Sequence, residues 1–340
     1  MRLAFVLAGS PFVTGAQIGP QDTSPDTGMT TKPRQTAQVL TDTKVTDSLV
    51  PSPVRRIPPP RQRFSVENGV TNTYDTNIEH DSTNIGSYGI IVGATGRFRS
   101  RGSKPGVYME YGVAVHQYTA TDRWDRVSQL GRLGFDIPLG SMLLFGVTGE
   151  IYLKGSSEDR EVGDQYAVLP RIEIRPIDDV RFRIITGYRQ RKFAEAPNSN
   201  AINRYVTFDS RIRFGEGTLE GAARFERNLP KITRLRFKRQ TYSARYGREV
   251  GDRAEVFAGL EYRPVQYPER TVDILDEEGE EIGEEPRVDR RWKPQVKWAH
   301  EWSRNVRTDV EYEYEMRFSN DPDKKYRGHV LTVTTAIPWY

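Results

Sequence analysis

From residue 64 onward, apolar side chains return at every second position of the chain. Residues 305–318, NVRTDVEYEYEMRF, show this most clearly. Val306, Thr308, Val310, Tyr312, Tyr314, Met316 and Phe318 are apolar or β-forming, and Arg307, Asp309, Glu311, Glu313, Glu315 and Arg317 between them are charged. A period of two puts successive side chains on opposite faces, which is the signature of a β-strand. The alternation also outlasts the roughly 9–11 residues that a tilted strand needs to cross a bilayer.

The same pattern predicts about fourteen strands, near 64–78, 86–99, 106–119, 126–139, 141–154, 164–176, 179–192, 203–214, 217–229, 236–248, 252–265, 290–302, 304–318 and 326–340. In 141–154, Leu143, Phe145, Val147, Ile151 and Leu153 alternate with Thr148, Glu150, Tyr152 and Lys154. In 179–192, Val180, Phe182, Ile184 and Tyr188 alternate with Arg181, Arg183, Arg189 and Arg191. In 290–302, Trp292, Val296, Trp298 and Trp302 alternate with Arg291, Lys293, Lys297 and Glu301. Hardly any segment carries a 3.6-residue apolar stripe, so few helices are expected.

The connections between these strands alternate in length. Short ones fall at Gly140, Asp178, Gly215 and Glu216, residues 249–251, and Ser303; longer polar ones fall at 154–163, 193–202, 267–287 and 319–325. Short turns at one end and long loops at the other mark a closed, antiparallel, up-and-down transmembrane β-barrel. A sandwich with Greek-key crossovers has no reason to alternate in this way. An even strand count places both chain ends on the short-turn side.

Composition agrees with that class. The chain is 36% hydrophobic and 28% charged, with a mean hydropathy of −0.66. It holds no run of about 18 apolar residues, which excludes a helical membrane protein. A barrel stays compatible, because only every second residue meets lipid. The formal charge of +4, from 50 basic and 46 acidic residues, lacks the concentrated basic excess of a nucleic-acid binder. Cysteine is absent, which removes disulfides, thiolate metal sites and Cys nucleophiles.

Three segments are expected. Residues 1–16 read as a secretory signal: Arg2, a short apolar core, and small residues ahead of a cleavage point after Ala16. Residues 17–63 are rich in Thr, Pro, Asp and Gln, lack an apolar period, and read as a disordered periplasmic linker. Within them, residues 37–50 are a short element that would order against a partner or inside the pore. Residues 64–340 are the barrel.

Residues 1–16 together with 64–340 resemble the bacterial outer-membrane β-barrel proteins, porin-like in plan. The resemblance implies the outer membrane of a Gram-negative cell, contact with its lipid and lipopolysaccharide, and assembly by the barrel-assembly machinery. Trp339 and Tyr340, aromatic residues on the final strand, are similar to the signal that machinery reads. In that strand the parity of Tyr340 runs through Pro338, Ala336, Thr334 and Thr332, and the other parity runs through Trp339, Ile337, Val333 and Leu331. The sequence leaves open which of them faces lipid. The aromatic girdle is expected at Trp292, Trp298, Trp302, Tyr312, Tyr314 and Phe318.

A charge on the lipid face costs about 2–4 kcal/mol at the bilayer midplane, so the charged parity must line the lumen. A basic arc is expected from Arg171, Arg175, Arg181, Arg183, Arg189, Arg211 and Arg213. An acidic arc is expected from Asp309, Glu311, Glu313, Glu315 and Glu67. In a ring of about fourteen strands the two arcs face each other. They either set up a transverse field that selects polar solutes, or are neutralised by neighbours such as Lys293 and Lys297.

Catalysis is not expected. The histidines are His80, His116, His300 and His329, and no G-x-S-x-G, H-E-x-x-H or Cys/His spacing is present. His116 and His80 with Asp122 or Asp125 would be the nearest approach to a rim site. The acidic run 271–286 offers Asp276, Glu277 and Glu280 as oxygen ligands for Ca²⁺ or Mg²⁺, but it lacks EF-hand spacing and reads as a solvated loop or a hairpin turning at Glu278 and Gly279. No cofactor is expected. The functional expectation is a pore passing small polar solutes. The alternative is a non-conducting barrel that anchors or assists an envelope assembly through residues 17–63.

Overall fold

The computed structural model of the protein describes residues 64–77, 86–100, 106–120, 125–155, 164–193, 197–275, 281–303 and 306–339. The expected signal, the linker, His80, Asp122, Asp276, Glu277, Glu280 and Tyr340 lie outside these residues. Fourteen strands follow one another: β1 (Phe64–Asp75), β2 (Ser87–Arg99), β3 (Gly106–Tyr118), β4 (Arg126–Leu139), β5 (Leu143–Gly155), β6 (Asp164–Ile177), β7 (Val180–Lys192), β8 (Ala201–Phe214), β9 (Gly217–Pro230), β10 (Phe237–Val250), β11 (Ala254–Leu275), β12 (Glu281–Ser303), β13 (Val306–Ser319) and β14 (Tyr326–Trp339). Each pairs antiparallel with its neighbours in sequence, and β1 pairs with β14, from Val66 opposite Trp339 to Asp75 opposite Val330. The result is a closed up-and-down barrel with no free edge. The helical turns among the described residues are single 3₁₀ turns in connections, at Pro197–Ser199, Thr233–Leu235 and Pro322–Lys324.

Alternation in the sequence becomes two faces of the wall. On β13 the odd positions turn inward, with Glu313 and Glu315 buried, while Tyr312 and Phe318 on the even positions stay exposed. On β7 the arginine parity turns inward and Phe182, Ile184 and Tyr188 face out. The outward face is thus a belt of large apolar residues, which is the reverse of a water-soluble barrel and suits hydrocarbon. Trp292 and Trp302 share this face ten positions apart on β12. At about 3.3 Å per residue and a strand tilt near 40° they are separated by roughly 25 Å along the barrel axis, the height of a barrel's lipid belt. Aromatic contacts strengthen both margins of the belt. Tyr262 and Trp292 pack at 4.3 Å toward the long-loop end, and Trp298 and Trp302 at 6.5 Å toward the short-turn end.

Two expectations change. The described part of 267–287 is strand rather than polar loop and follows the hairpin alternative: β11 runs on to Leu275, β12 begins at Glu281, and the pair extends as a hairpin beyond the rest of the ring. Residues Thr271 to Ile274 pair with Pro286 to Gly283, after a register shift that follows Tyr267. Pro268, which has no N–H to donate, sits in that shift, and β-forming Thr271, Val272 and Ile274 resume the ladder beyond it. The second change resolves β14. Leu331, Ile337 and Trp339 are exposed outward and Val330 is buried inward. The threonine parity turns inward because β1 presents threonines to it: Thr71 Oγ1 lies 2.9 Å from Thr334 Oγ1, and Thr73 Oγ1 lies 3.3 Å from Thr332 Oγ1.

Inside, aromatic rings lie flat on glycines of the adjacent strand. Tyr205 on β8 is opposite Gly187 on β7 and is buried there, with the Arg224 guanidinium 3.7 Å from its ring centroid. A Cβ at position 187 would collide with the ring, and Arg224 limits its escape. Gly187→Ala should therefore cost about 1–3 kcal/mol by overpacking, read as a lower urea midpoint for the barrel refolded in detergent. An unchanged midpoint would mean that the ring swings away freely.

Candidate functional site: the charged inner wall

Every strand but one contributes inward charges, because the alternation that places apolar residues in the belt forces the intervening residues inside. β14 is the exception, with Tyr326, Gly328, Val330, Thr332, Thr334 and Ala336 on its inward parity. The wall organises the charges by register. Arg97, Glu110, Arg132 and Glu150 stand directly opposite one another on β2, β3, β4 and β5. Arg97 Nε is 3.1 Å from Glu110, Arg132 spans Glu110 and Glu150 at 3.0 and 2.9 Å, and Arg97 also reaches Glu67 on β1 at 3.5 Å. Beyond Glu150 the next position is Ala167 on β6, small enough for Arg189 on β7 to reach over it to Glu150 at 3.6 Å. Opposite charges alternate along this row from β1 to β7. Each is held by cross-strand pairing in a setting less screened than bulk water.

The basic arc has its own acids in part. Arg171 bonds to Asp136, Arg175 pairs with Glu173 on the same strand, Arg183 lies 2.8 Å from Asp209, and Arg211 lies 3.4 Å from Glu220. Arg181 and Arg213 form no ion pair among the described residues, and Arg191 adds a further inward cation that the expected arc omitted. The acidic arc is matched by cations of β12. Lys297 Nζ is 2.9 Å from Asp309 and directly opposite Glu311, Lys293 Nζ is 2.8 Å from Glu313, and Arg291 bonds to Glu315. Glu67 pairs with Arg97 on β2 rather than with a cation of β12. The geometry therefore shows one side of the wall where acid and base alternate closely, and another, over β6 to β8, where arginines outnumber carboxylates.

A third cluster escaped sequence reasoning. Glu226 on β9 is almost wholly enclosed and holds Arg239 at 2.6 Å and Arg224 at 2.9 Å, while the Asn203 side-chain amide donates to its other oxygen. Periodicity marks Glu226 as inward, but only the pairing of β8, β9 and β10 brings these partners to it. Near the long-loop end Asp289 accepts from Arg287 at 2.8 Å, from Ser319 at 2.6 Å and from Arg317, and Arg287 reaches Asp321 at 3.5 Å. In the connection at that rim, burial and then the nearby Arg287 guanidinium push the Lys324 ammonium pKa down.

The histidines form no acid–base constellation among the described residues. His116 is buried inside with Nε2 3.0 Å from Ser128 Oγ, and Asp125, the expected neighbour, instead accepts from the Tyr118 N–H. His300 stacks on Trp298 outside, and His329 on Tyr314. Of the expected girdle, Trp298 and Trp302 lie toward the short-turn end of β12, whereas Trp292, Tyr314 and Phe318 lie toward the other end and Tyr312 between them.

No protein-family model and no curated protein matches this chain. Solved structures of similar architecture do exist. The trimer form of OmpT of Vibrio cholerae aligns at 10% identity and a TM-score of 0.49, over 81% of this chain and 99% of that one. The outer membrane channel DcaP of Acinetobacter baumannii aligns at 8% identity and 0.48, over 81% and 96%. The anion-selective porin of Comamonas acidovorans aligns at 9% identity and 0.47, over 81% and 98%.

The enclosed carboxylate yields a contrast. Glu226→Ala leaves Arg224 and Arg239 facing each other without their shared anion and should cost about 3–5 kcal/mol. Glu216→Ala, which removes an exposed rim partner 3.4 Å from Arg248, should cost under about 1 kcal/mol. Urea unfolding of the two variants side by side measures the difference; equal losses would deny the inner cluster a structural role.

Proposed function

We propose that the protein is a pore of the bacterial outer membrane that passes small polar solutes, with a preference for anions. The observation that carries this reading is the pairing of two opposite faces on one closed wall: large apolar side chains outside and charges inside. Such a wall is stable only with hydrocarbon around it and water or counter-charge within it. The likeness in plan to bacterial outer-membrane barrels points to the same compartment, with residues 1–16 directing export and 17–63 on the periplasmic side. Lipid, lipopolysaccharide and the barrel-assembly machinery are the partners that follow, the last reading Trp339 and Tyr340.

The preference comes from the uneven wall. Where Arg291, Lys293 and Lys297 meet Glu315, Glu313 and Asp309, positive and negative charges cancel at short range. Over β6 to β8 the arginines keep a surplus, led by Arg181 and Arg213, so a passing anion meets cations that are not already committed. The role is passage rather than catalysis. Fourteen strands lie between small barrels, filled by their own side chains, and the 16–18-stranded porins with wide channels. The long arginines therefore set how much of the lumen stays open.

Single-channel recording of the refolded chain in a planar bilayer, with and without residues 17–63, tests the reading. Stable conductance steps in both forms are expected. Steps only after the deletion would make the linker a plug. Silence in both, from folded protein, would move the role to anchoring or assisting an envelope assembly. In the conducting pore, Arg181→Ala with Arg213→Ala should lower the anion-to-cation permeability ratio by about twofold per charge, the combined effect on anion and cation of a unit charge roughly 8 Å away in water and screened by about one Debye length of salt. An unchanged reversal potential would remove the arginine surplus as the cause of selectivity.

A further inference from the structure

The outward face carries one feature that a lipid belt does not explain. Arg204 on β8 stands directly opposite Arg227 on β9, and Arg227 stands directly opposite Lys238 on β10. All three are exposed on the outside of the wall. None makes an ion pair or a side-chain hydrogen bond among the described residues. The outward positions around them carry no acid: Tyr188 and Gln190 on β7, Val206 on β8, Phe225 and Leu229 on β9, Gln240 and Tyr242 on β10, and Gln266 on β11. Above the row, Arg236 and Glu269 satisfy each other at 3.9 Å.

Like charges directly opposite one another on a sheet destabilise it, and more so beside hydrocarbon than in water. An anion lying across a row of three with no counter-charge among the described residues would relieve that repulsion. The height of the row on the wall says what kind. Arg204 is three residues from the long-loop end of β8, about 10 Å along the strand. Two residues further into the belt come Val206 and Phe225, and then Phe208 and Tyr242, which are exposed and apolar. The surface is concave here, a depression lined by Tyr188, Arg204, Phe225, Arg227, Lys238 and Gln240. Cations stand at headgroup level with an apolar, partly aromatic floor directly beneath.

We propose that this depression is a binding site for a phosphorylated lipid of the outer leaflet, with its phosphates on Arg204, Arg227 and Lys238 and its acyl chains on Phe225, Phe208 and Tyr242. Arginine suits the role because its planar fork matches two phosphate oxygens at once. The proposal rests on the outer-membrane reading above, which sets the long-loop end at the outer leaflet.

Native mass spectrometry of the full chain, refolded in detergent, tests it with diphosphorylated lipid A as probe. The wild type should retain the lipid, while uncharged diacylglycerol and inorganic phosphate should fail to displace it. The triple variant Arg204→Gln, Arg227→Gln, Lys238→Gln should bind on the order of a hundredfold more weakly, since each cation at an anionic lipid surface contributes about fivefold. Arg227→Gln alone should show part of the loss if the triple variant folds poorly. Arg248→Gln, a charge removal at the opposite rim, should bind as the wild type does. Equal retention by the triple variant would overturn the site. Displacement by inorganic phosphate at comparable concentration would overturn the lipid as its occupant. Failure of the membrane reading would show separately, as a refolded chain that does not insert into liposomes while its affinity in detergent is still measurable.

Discussion

Ring closure is the constraint on which the rest of the structure depends. In hydrocarbon an unpaired backbone N–H or C=O costs several kcal/mol, so a sheet can cross only if it has no edge. Here the pairing of β1 with β14 satisfies the last row of donors and acceptors. Closure then divides every strand into an outer and an inner parity. An apolar residue on one side implies that its neighbours in sequence face the other, so the dense charge of the inner wall is a geometric consequence of the belt. What remained for evolution to choose was how those charges meet.

They meet mainly as cross-strand pairs, and the pairs serve the wall as much as the lumen. The alternating row from Glu67 through Arg97, Glu110, Arg132 and Glu150 to Arg189 ties strands together from the inside. Such a row resists inward collapse, because each long side chain is held near the wall by partners on both sides. Rings laid on glycines, as Tyr205 on Gly187, do the same without charge. The surplus of arginines over β6 to β8 stands out against that background. Charges that only stiffened the wall would be matched, and Arg181 and Arg213 form no ion pair among the described residues. The outward row of Arg204, Arg227 and Lys238 breaks the pattern in the same way on the other face, and the two departures are where the proposed anion preference and the proposed lipid site rest.

Much of this architecture was legible in the chain. The alternation in 305–318 gave strand, length and facing at once, and the same period elsewhere placed all fourteen strands. For residues 271–286 the sequence leaves a loop and a hairpin open, because the acids and prolines hide a short β-forming run that pairs only across a register shift. The last strand was ambiguous because Thr332 and Thr334 are tolerable on either face until β1 presents Thr71 and Thr73 to them. Glu226 looked like any other inward acid, and its enclosure by Arg224, Arg239 and Asn203 requires three strands in register.

What the sequence determined by itself is local: which residues form strands, which parity is apolar, and that the apolar parity is long enough for a bilayer. These follow from chemistry repeated every two residues within one segment. The tertiary structure decided which strand meets which, and with it every specific partner. Thr71 and Thr334 touch across 263 positions, Arg189 reaches Glu150 over a strand that offers only Ala167, and three cations align on the outside of β8, β9 and β10. Pairings of this kind depend on the register between strands, and register is set by the closed ring as a whole rather than by any one of its segments.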